Sequence, residues 1–390
     1  MTACSLLVVG GGPAGHAAAT AYREAGGAGD VILLAGEGRA PYERPPLSKE
    51  LLRSEVGPES LPMADDPAEY ERQGITVRHG RALALHAKDR RAGLAGGESI
   101  TYEHCVLATG AQPLRPDIPG ADRPRVHLLR TVADALALRA DAVPGARVVV
   151  LGSGFIGCEA AASLTLRGCA VTLVTQEPAP QARRLGDEVA ARLAGWLADL
   201  GVDARYGREL TAIGDHLRTT LDDGTALDAD LVLLAAGVTP DVRLARTASL
   251  AIDRDGGEIL TDAAQRTSAP RILAAGDCCR AEHALAGRPL HVEHWGDALA
   301  QGAVAGWTAA GREAAWDTVP GFWSTIGTET LKYAAWGDGF ATTHLVDHGD
   351  GAFTAWYADD AGTCVGVLTH DRDPDYEAGQ RLIAEGATAP

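Results

Sequence analysis

Short apolar runs that stop at glycine recur along this chain. Ser5–Val9 is closed by Gly10-Gly11-Gly12-Pro13-Ala14-Gly15, then come a helical stretch Pro13–Ala25 and a second apolar run, Val31–Ala35. The change of period from continuous apolar to helical and back predicts a strand–turn–helix–strand unit. The same order returns at Arg147–Leu151, the turn Gly152-Ser153-Gly154-Phe155-Ile156-Gly157, the helical stretch Cys158–Arg167 and the run Ala170–Val174. One Gly-x-Gly-x-x-Gly turn is a weak signal. Two, each with a strand on either side, point to two dinucleotide-binding domains.

Three more apolar runs end in small residues: Cys105–Gly110, Leu231–Gly237 and Ile272–Asp277. Each reads as a buried strand whose end meets a ligand or another backbone too closely for a side chain. Ala111–Gly120, with its three prolines, reads as a linker. Toward the C-terminus, in the last 75 residues, the texture changes, with aromatics concentrated at Trp316, Phe322, Trp323, Trp336, Phe353, Trp356 and Tyr357. The alternating runs Gly351–Tyr357 and Thr363–Leu368 predict an antiparallel sheet. The expected fold is α/β, with two Rossmann-like domains and a small C-terminal α+β domain. The expected boundaries are 1–110 with 230–313 for a first, split domain, 111–229 for the second, and 314–390 for the third.

Composition narrows the function classes. The chain has 390 residues, 46% hydrophobic and 22% charged, which fits two or three globular domains and excludes a disordered or disulfide-scaffold chain. A formal net charge of −17 argues against nucleic acid as a partner. No apolar run approaches the ~18 residues of a membrane span. The first residues lack a basic region before their apolar run, so no signal peptide and no membrane association is expected. Seven scattered cysteines without a C-x-x-C pair suit a reducing, cytoplasmic setting. Lysine occurs only at Lys49, Lys88 and Lys332, so any lysine chemistry falls on one of three residues.

In a dinucleotide-binding turn the glycines serve a tight bend, close approach to a pyrophosphate, and helix–strand packing. Gly10, Gly12 and Gly15 fit that reading, with Pro13 and Ala14 inside the turn, and Gly152, Gly154 and Gly157 repeat it around Phe155 and Ile156. Glu37, just after the second strand, is placed to accept from an adenosine ribose, or to be a solvated loop carboxylate. After Ala170–Val174 an acidic residue would select a ribose hydroxyl and an arginine a 2′-phosphate. The chain offers Thr175, Gln176 and Glu177, with Arg183 and Arg184 beyond, so Glu177 leans toward NADH with NADPH as the alternative. The most distinctive stretch is Pro41-Tyr42-Glu43-Arg44-Pro45-Pro46-Leu47-Ser48-Lys49, where the prolines fix an extended approach and Ser48 is placed to cap a helix beginning at Lys49.

Taken together, GGGPAG, PYERPPLSK, ATGAQP, VVVLGSGFIGCEAA, LAAGVTP, AAGDCC, EHWGDALAQG and PGFWS resemble the FAD-containing, NAD(P)H-dependent ferredoxin reductases. These are the oxygenase-coupled enzymes that include rubredoxin and putidaredoxin reductases. The resemblance runs in order over nearly the whole chain. It implies that the first glycine turn holds FAD and the second NADH or NADPH. It further assigns Arg44, Ala108, Thr109, Gly110, Gly237 and Gly276 to the cofactor sites, and Asp277 to the ribityl chain of FAD. By the same resemblance Lys49 and Glu159 form a pair beside the flavin where hydride arrives. Glu293, His294 and Trp295 open a helix, Gly296–Trp307, aimed at the flavin pyrimidine edge, and Trp323 stacks by the ring on the electron-exit side. Core packing is the rival reading for His294, Trp295 and Trp323.

The implied activity passes hydride from NAD(P)H to FAD and then single electrons to a small iron–sulfur protein such as a ferredoxin, from a monomer or homodimer. Two rivals remain: an NADH oxidase or diaphorase acting on a small molecule, and an NADH-sensing interaction protein. Two departures from the family stand out. The segment after Phe322-Trp323-Ser324 is Thr325-Ile326-Gly327 where the family often has Asp-Gln. Residues 314–390 carry 12 acidic against 3 basic side chains, which would repel an acidic partner. No cysteine lies between Cys4 and Cys105, which excludes a disulfide-reducing centre in the first strand–helix unit. Cys278-Cys279 read as small buried residues rather than a redox pair.

Overall fold

The structure, a computed structural model, describes residues 2–64 and 68–390. The chain divides into two compact units, each assembled from three segments: Met1–Glu43, Leu61–Gln112 and Pro240–Phe322 in the first, Arg44–Ser60, Pro113–Thr239 and Trp323–Pro390 in the second.

In the first unit the strand Thr2–Val9 lies between Val31–Ala35 and Ser99–Leu107, parallel to both. Ile75–His79 extends one side of the sheet, and the antiparallel strands Arg91–Leu94 and Ala82–His86 extend the other. Ile272–Ala274 returns from far along the sequence to pair, parallel, with Cys105, Val106 and Leu107. That pairing closes a domain split in sequence. Leu6, Leu7, Val8 and Leu33 are wholly buried, which explains why these parallel strands read as continuous apolar runs. Helices Pro13–Glu24 and Trp295–Ala309 pack tightly: a Cβ on Gly302 would stand 2.3 Å from the Ala14 carbonyl oxygen, and one on Gly306 2.3 Å from that of Ala18.

The second unit carries an all-parallel sheet in the order Asp203–Arg205, Ala170–Val174, Arg147–Leu151, Leu231–Leu234, Val126–His127. Its last 68 residues form an antiparallel sheet with Ala352–Ala358 between Cys364–His370 and Thr342–Gly349. Helix Asp373–Glu385 covers that sheet, where Gly379 presses against Val367. The Rossmann-like helix Asp187–Asp199 and the antiparallel sheet share one core: Trp196 lies 5.0 Å from the His370 ring, Arg192 sits over Phe353, and the Tyr357 hydroxyl donates to the Leu185 carbonyl at 2.9 Å.

Three sequence expectations need correction here. Leu231–Leu234 was assigned to the first domain from residue 230, but its backbone pairs with Val148–Leu151, so the crossing lies near Pro240. A boundary at 314 misplaces Trp316, which is fully buried in the first unit with its backbone N–H on the Ala263 carbonyl and its ring against His283. The Arg44–Ser60 segment, expected with the first domain, belongs to the second unit. Pattern predicts that a run is a strand, but strand neighbours are set by pairing across long sequence distances. Within Ala111–Gly120 only Ala111–Pro113 is a strand and the rest lacks regular structure.

Candidate active site

Both glycine turns are shaped by the chain's own backbone at their first and third glycines. Gly10 has φ +131° and a Cβ there would lie 2.0 Å from the Ala108 carbonyl oxygen; a Cβ on Gly15 would lie 1.9 Å from that of Gly10. In the second turn Gly152, with φ +105°, would meet the Ala235 oxygen at 2.3 Å, and Gly157 the Gly152 oxygen at 2.1 Å. Gly154 is different. Among the described residues a Cβ there would meet only Gln181 Nε2, at 3.8 Å, so none of them requires glycine at this position. Gly12 and Gly154 are the N-caps of helices Pro13–Glu24 and Phe155–Leu166, and neither receives a side-chain cap, whereas Thr131 caps its own helix with a full Thr–Asp134 box. Both glycine-turn helices thus begin at the positive end of the helix dipole without a cap from their own N-cap residue. The second of these helices starts at Phe155, three residues earlier than its apolar period suggested.

In the first unit Ala108, Thr109 and Gly110 leave the sheet beside the Gly10 turn, with the Ala108 N–H on the Val9 carbonyl and the Thr109 hydroxyl on the Asp241 carbonyl at 2.6 Å. Gly276 takes φ +80°, its N–H donates to Gln301 Oε1 at 2.8 Å, and Asp277 beside it is buried. Cys278 and Cys279 are buried free thiols. The hydrogen bond with Cys278, and then burial, push the Cys279 thiol up. Glu37 is exposed and accepts the hydroxyl of buried Tyr42. Glu293 is exposed, and His294 is the N-cap of the Trp295–Ala309 helix, its ring 4.5 Å from Phe322.

In the second unit a buried carboxylate gathers three donors. Glu159 Oε2 accepts from Lys49 Nζ at 3.1 Å and from Ser48 Oγ at 2.5 Å, while Oε1 accepts from Ser324 Oγ at 2.7 Å. Both ionic side chains are only 7% exposed. An isolated buried charge of either sign would be costly, and this pairing with added hydroxyl donors compensates both. Ser48 is therefore not a helix cap; it ends a 3-10 turn, Pro45–Ser48, and its hydroxyl is committed to Glu159. Arg44 donates to the Arg130 carbonyl at 2.8 Å. Trp323, next to Ser324 on strand Gly321–Ile326, points the other way and is 45% exposed. Gly237, with φ +102°, follows the Leu231–Leu234 strand of this unit. The sequence reading missed Ser48 and Ser324 as partners of Glu159, since neither motif specifies what its serine touches.

At the selection position Thr175 is buried and accepts from the Ser153 hydroxyl at 2.9 Å, while Glu177 accepts from the Arg183 backbone N–H at 3.2 Å. Arg183 and Arg184 are exposed. Among the described residues no helix is long and apolar enough to cross a membrane.

The model of the family described as pyridine nucleotide-disulphide oxidoreductase matches residues 4–313. The ferredoxin–NAD(+) reductase component of the anthranilate 1,2-dioxygenase system of Burkholderia cepacia is 33% identical, over 99% of this chain and 96% of its own. The crystal structure of the ferredoxin reductase for the CYP199A2 system from Rhodopseudomonas palustris is 31% identical and superposes with a TM-score of 0.93, over 98% of this chain and 95% of that one. The covalent putidaredoxin reductase–putidaredoxin complex gives 27% identity and a TM-score of 0.90, over 98% and 93%. The cofactors of this family are FAD and NAD(P)H, and two glycine turns that each open a helix without a side-chain cap suit their pyrophosphates. The chain is an oxidoreductase and belongs to the ferredoxin reductase branch of the pyridine nucleotide-disulphide oxidoreductase family.

Proposed function

We propose that this protein carries electrons from NADH, through FAD held by the first unit, to a small iron–sulfur protein. When bound, FAD supplies the conversion of a two-electron donor's reducing power into single-electron steps. The single observation that carries the reading is the buried Lys49–Glu159 pair, built with two serine donors, in a chain with two glycine turns that each open a helix without a side-chain cap.

The roles follow from the residues. Gly10, Gly12 and Gly15 with Pro13 and Ala14 hold the FAD pyrophosphate, Glu37 the adenosine end, and Asp277 the ribityl chain; Ala108, Thr109, Gly110 and Gly276 allow the close approach. The N-terminus of helix Trp295–Ala309, preceded by Glu293 and His294, offers N–H groups and a positive dipole end to the flavin. Gly152, Gly154, Phe155, Ile156, Gly157 and Gly237 receive the nicotinamide dinucleotide. Lys49 sets a positive charge where the flavin gains negative charge, and Glu159 keeps that ammonium fixed and compensated. Arg44 and exposed Trp323 serve the flavin and the exit side. Seven free, buried cysteines support a reducing, cytoplasmic setting.

For nicotinamide choice we infer NADH, since Glu177 stands where a 2′-phosphate would be repelled. NADPH working equally well would assign that phosphate to Arg183 and Arg184. The deciding experiment is rapid-mixing reduction by each nicotinamide, followed by mixing with iron–sulfur proteins of different charge. A reductase re-oxidises rapidly with an iron–sulfur acceptor. Rapid re-oxidation by air alone identifies an oxidase, and re-oxidation by neither an NADH sensor.

A further inference from the structure

Glu159 is held from two directions. Ser48 and Lys49, consecutive residues at the end of the 3-10 turn, both donate to Oε2. Among the described residues Oε1 has one donor, the hydroxyl of Ser324, which comes from the C-terminal strand Gly321–Ile326. The terminal torsion of a carboxylate side chain is soft and broadly two-fold. Donors on one oxygen alone leave the plane of the group free to swing about that oxygen. A donor on the other oxygen fixes it. Ser324 is 1% exposed, and its inward direction is dictated by strand alternation opposite exposed Trp323.

We propose that Ser324 is a positioning residue for flavin reduction: it locks the Glu159 carboxylate and, through it, the Lys49 ammonium. The inference rests on the assignment of Lys49 and Glu159 to the flavin given above. The C-terminal sheet then contributes a fixed contact to the reduction side of the reaction as well as presenting Trp323.

The test uses the full-length, FAD-loaded protein and the variants Ser324→Ala, Ser324→Thr, Lys49→Ala, Glu159→Ala and the double Ser324→Ala/Glu159→Ala. Loss of one hydrogen bond to a buried carboxylate should slow single-turnover reduction by NADH about tenfold in Ser324→Ala, with Thr restoring it to within about twofold. In the Glu159→Ala background the Ser324 change should add less than about twofold, because its only route is gone. Two readouts do not depend on turnover. The flavin midpoint potential should shift in Ser324→Ala and not in Ser324→Thr. Urea unfolding of the four-protein cycle should show coupling between positions 324 and 159. Reduction at the parent rate in Ser324→Ala, or an equal slowing with and without Glu159, overturns the proposal while leaving the Lys49–Glu159 assignment intact. Indifference of reduction to both Lys49→Ala and Glu159→Ala overturns that assignment and this inference with it.

Discussion

Ser163 donates its hydroxyl to the Ser48 carbonyl oxygen at 2.7 Å, and it lies one helical turn beyond Glu159 on the same face of helix Phe155–Leu166. A further turn on, Arg167 reaches the Ser54 hydroxyl at 2.6 Å, and Arg139 donates to the Leu51 carbonyl at 3.1 Å. The i, i+4, i+8 spacing of Glu159, Ser163 and Arg167 makes one helix face a track along which the Arg44–Ser60 excursion is fastened. Lys49 is thus presented by the unit that carries the second glycine turn.

From that fastening follows an asymmetry. Lys49→Ala leaves Glu159 as a buried, uncompensated anion, and flavin reduction should slow by the equivalent of about 2–4 kcal/mol for one preorganised electrostatic contact. Glu159→Gln keeps shape and leaves the lysine positive, so it should do less harm. Rapid-mixing reduction of both variants by NADH checks the order, and equal rates in parent and Lys49→Ala would remove the pair from the reaction.

Asp277→Ala should loosen FAD. A buried, charge-assisted hydrogen bond contributes on the order of 1.5–3 kcal/mol, so the dissociation constant should rise roughly 10- to 150-fold. Recovery of flavin fluorescence on dilution measures this directly, and an unchanged constant would place the ribityl chain elsewhere.

Gly302→Ala should destabilise the first unit. The added methyl meets the Ala14 carbonyl oxygen at 2.3 Å, and overpacking of this kind costs about 1–3 kcal/mol. Since Ala14 sits in the first glycine turn, FAD retention should fall as well. Gly195→Ala is the control: that helix position is exposed, its Cβ meets nothing within 4 Å, and the change should raise stability by about 0.5–1 kcal/mol through helix propensity. Thermal unfolding by circular dichroism should move the two variants in opposite directions.

His291 should make stability depend on pH. Burial disfavours its charged form, but the Glu293 carboxylate at 3.1 Å, the Cys279 carbonyl at 3.1 Å and nearby Glu258 outweigh burial and hold its pKa above the ordinary 6.5. With an acceptor facing each ring nitrogen, both donate when the ring is protonated. A pKa raised in the folded state gives stability that is full below about pH 6.5 and is lost as pH rises through the folded value. Unfolding midpoints of His291→Gln should therefore lie below the parent at about pH 6 and converge with it by about pH 9; a constant gap would mean a neutral ring.

Much of this was legible in the sequence, and the reasons are specific. Val31–Ala35, Arg147–Leu151 and Ala170–Val174 read residue for residue because fully buried parallel strands need unbroken apolar runs and their turns need glycine. The identity of Lys49 and Glu159 came from motifs, but their serine donors did not. Ser48 and Glu159 are 111 positions apart and Ser324 and Glu159 165, and a buried serine in an apolar strand looks the same whether it bonds a backbone or a carboxylate. Leu231–Leu234 was legible as a strand but not as a neighbour of Arg147–Leu151, since its run carries no mark of its sheet.

The return of Ile272–Ala274 to pair with Ser99–Leu107 has a consequence for biosynthesis. On the ribosome the first sheet emerges early, yet one edge of Ser99–Leu107 and the helix that covers Pro13–Glu24 must wait until residues 272–309 have been made. At about 5–20 residues per second that delay is on the order of ten seconds or more. Throughout it the nascent chain holds an apolar sheet edge open, so the interval before residue 309 emerges is when protection by a chaperone matters most.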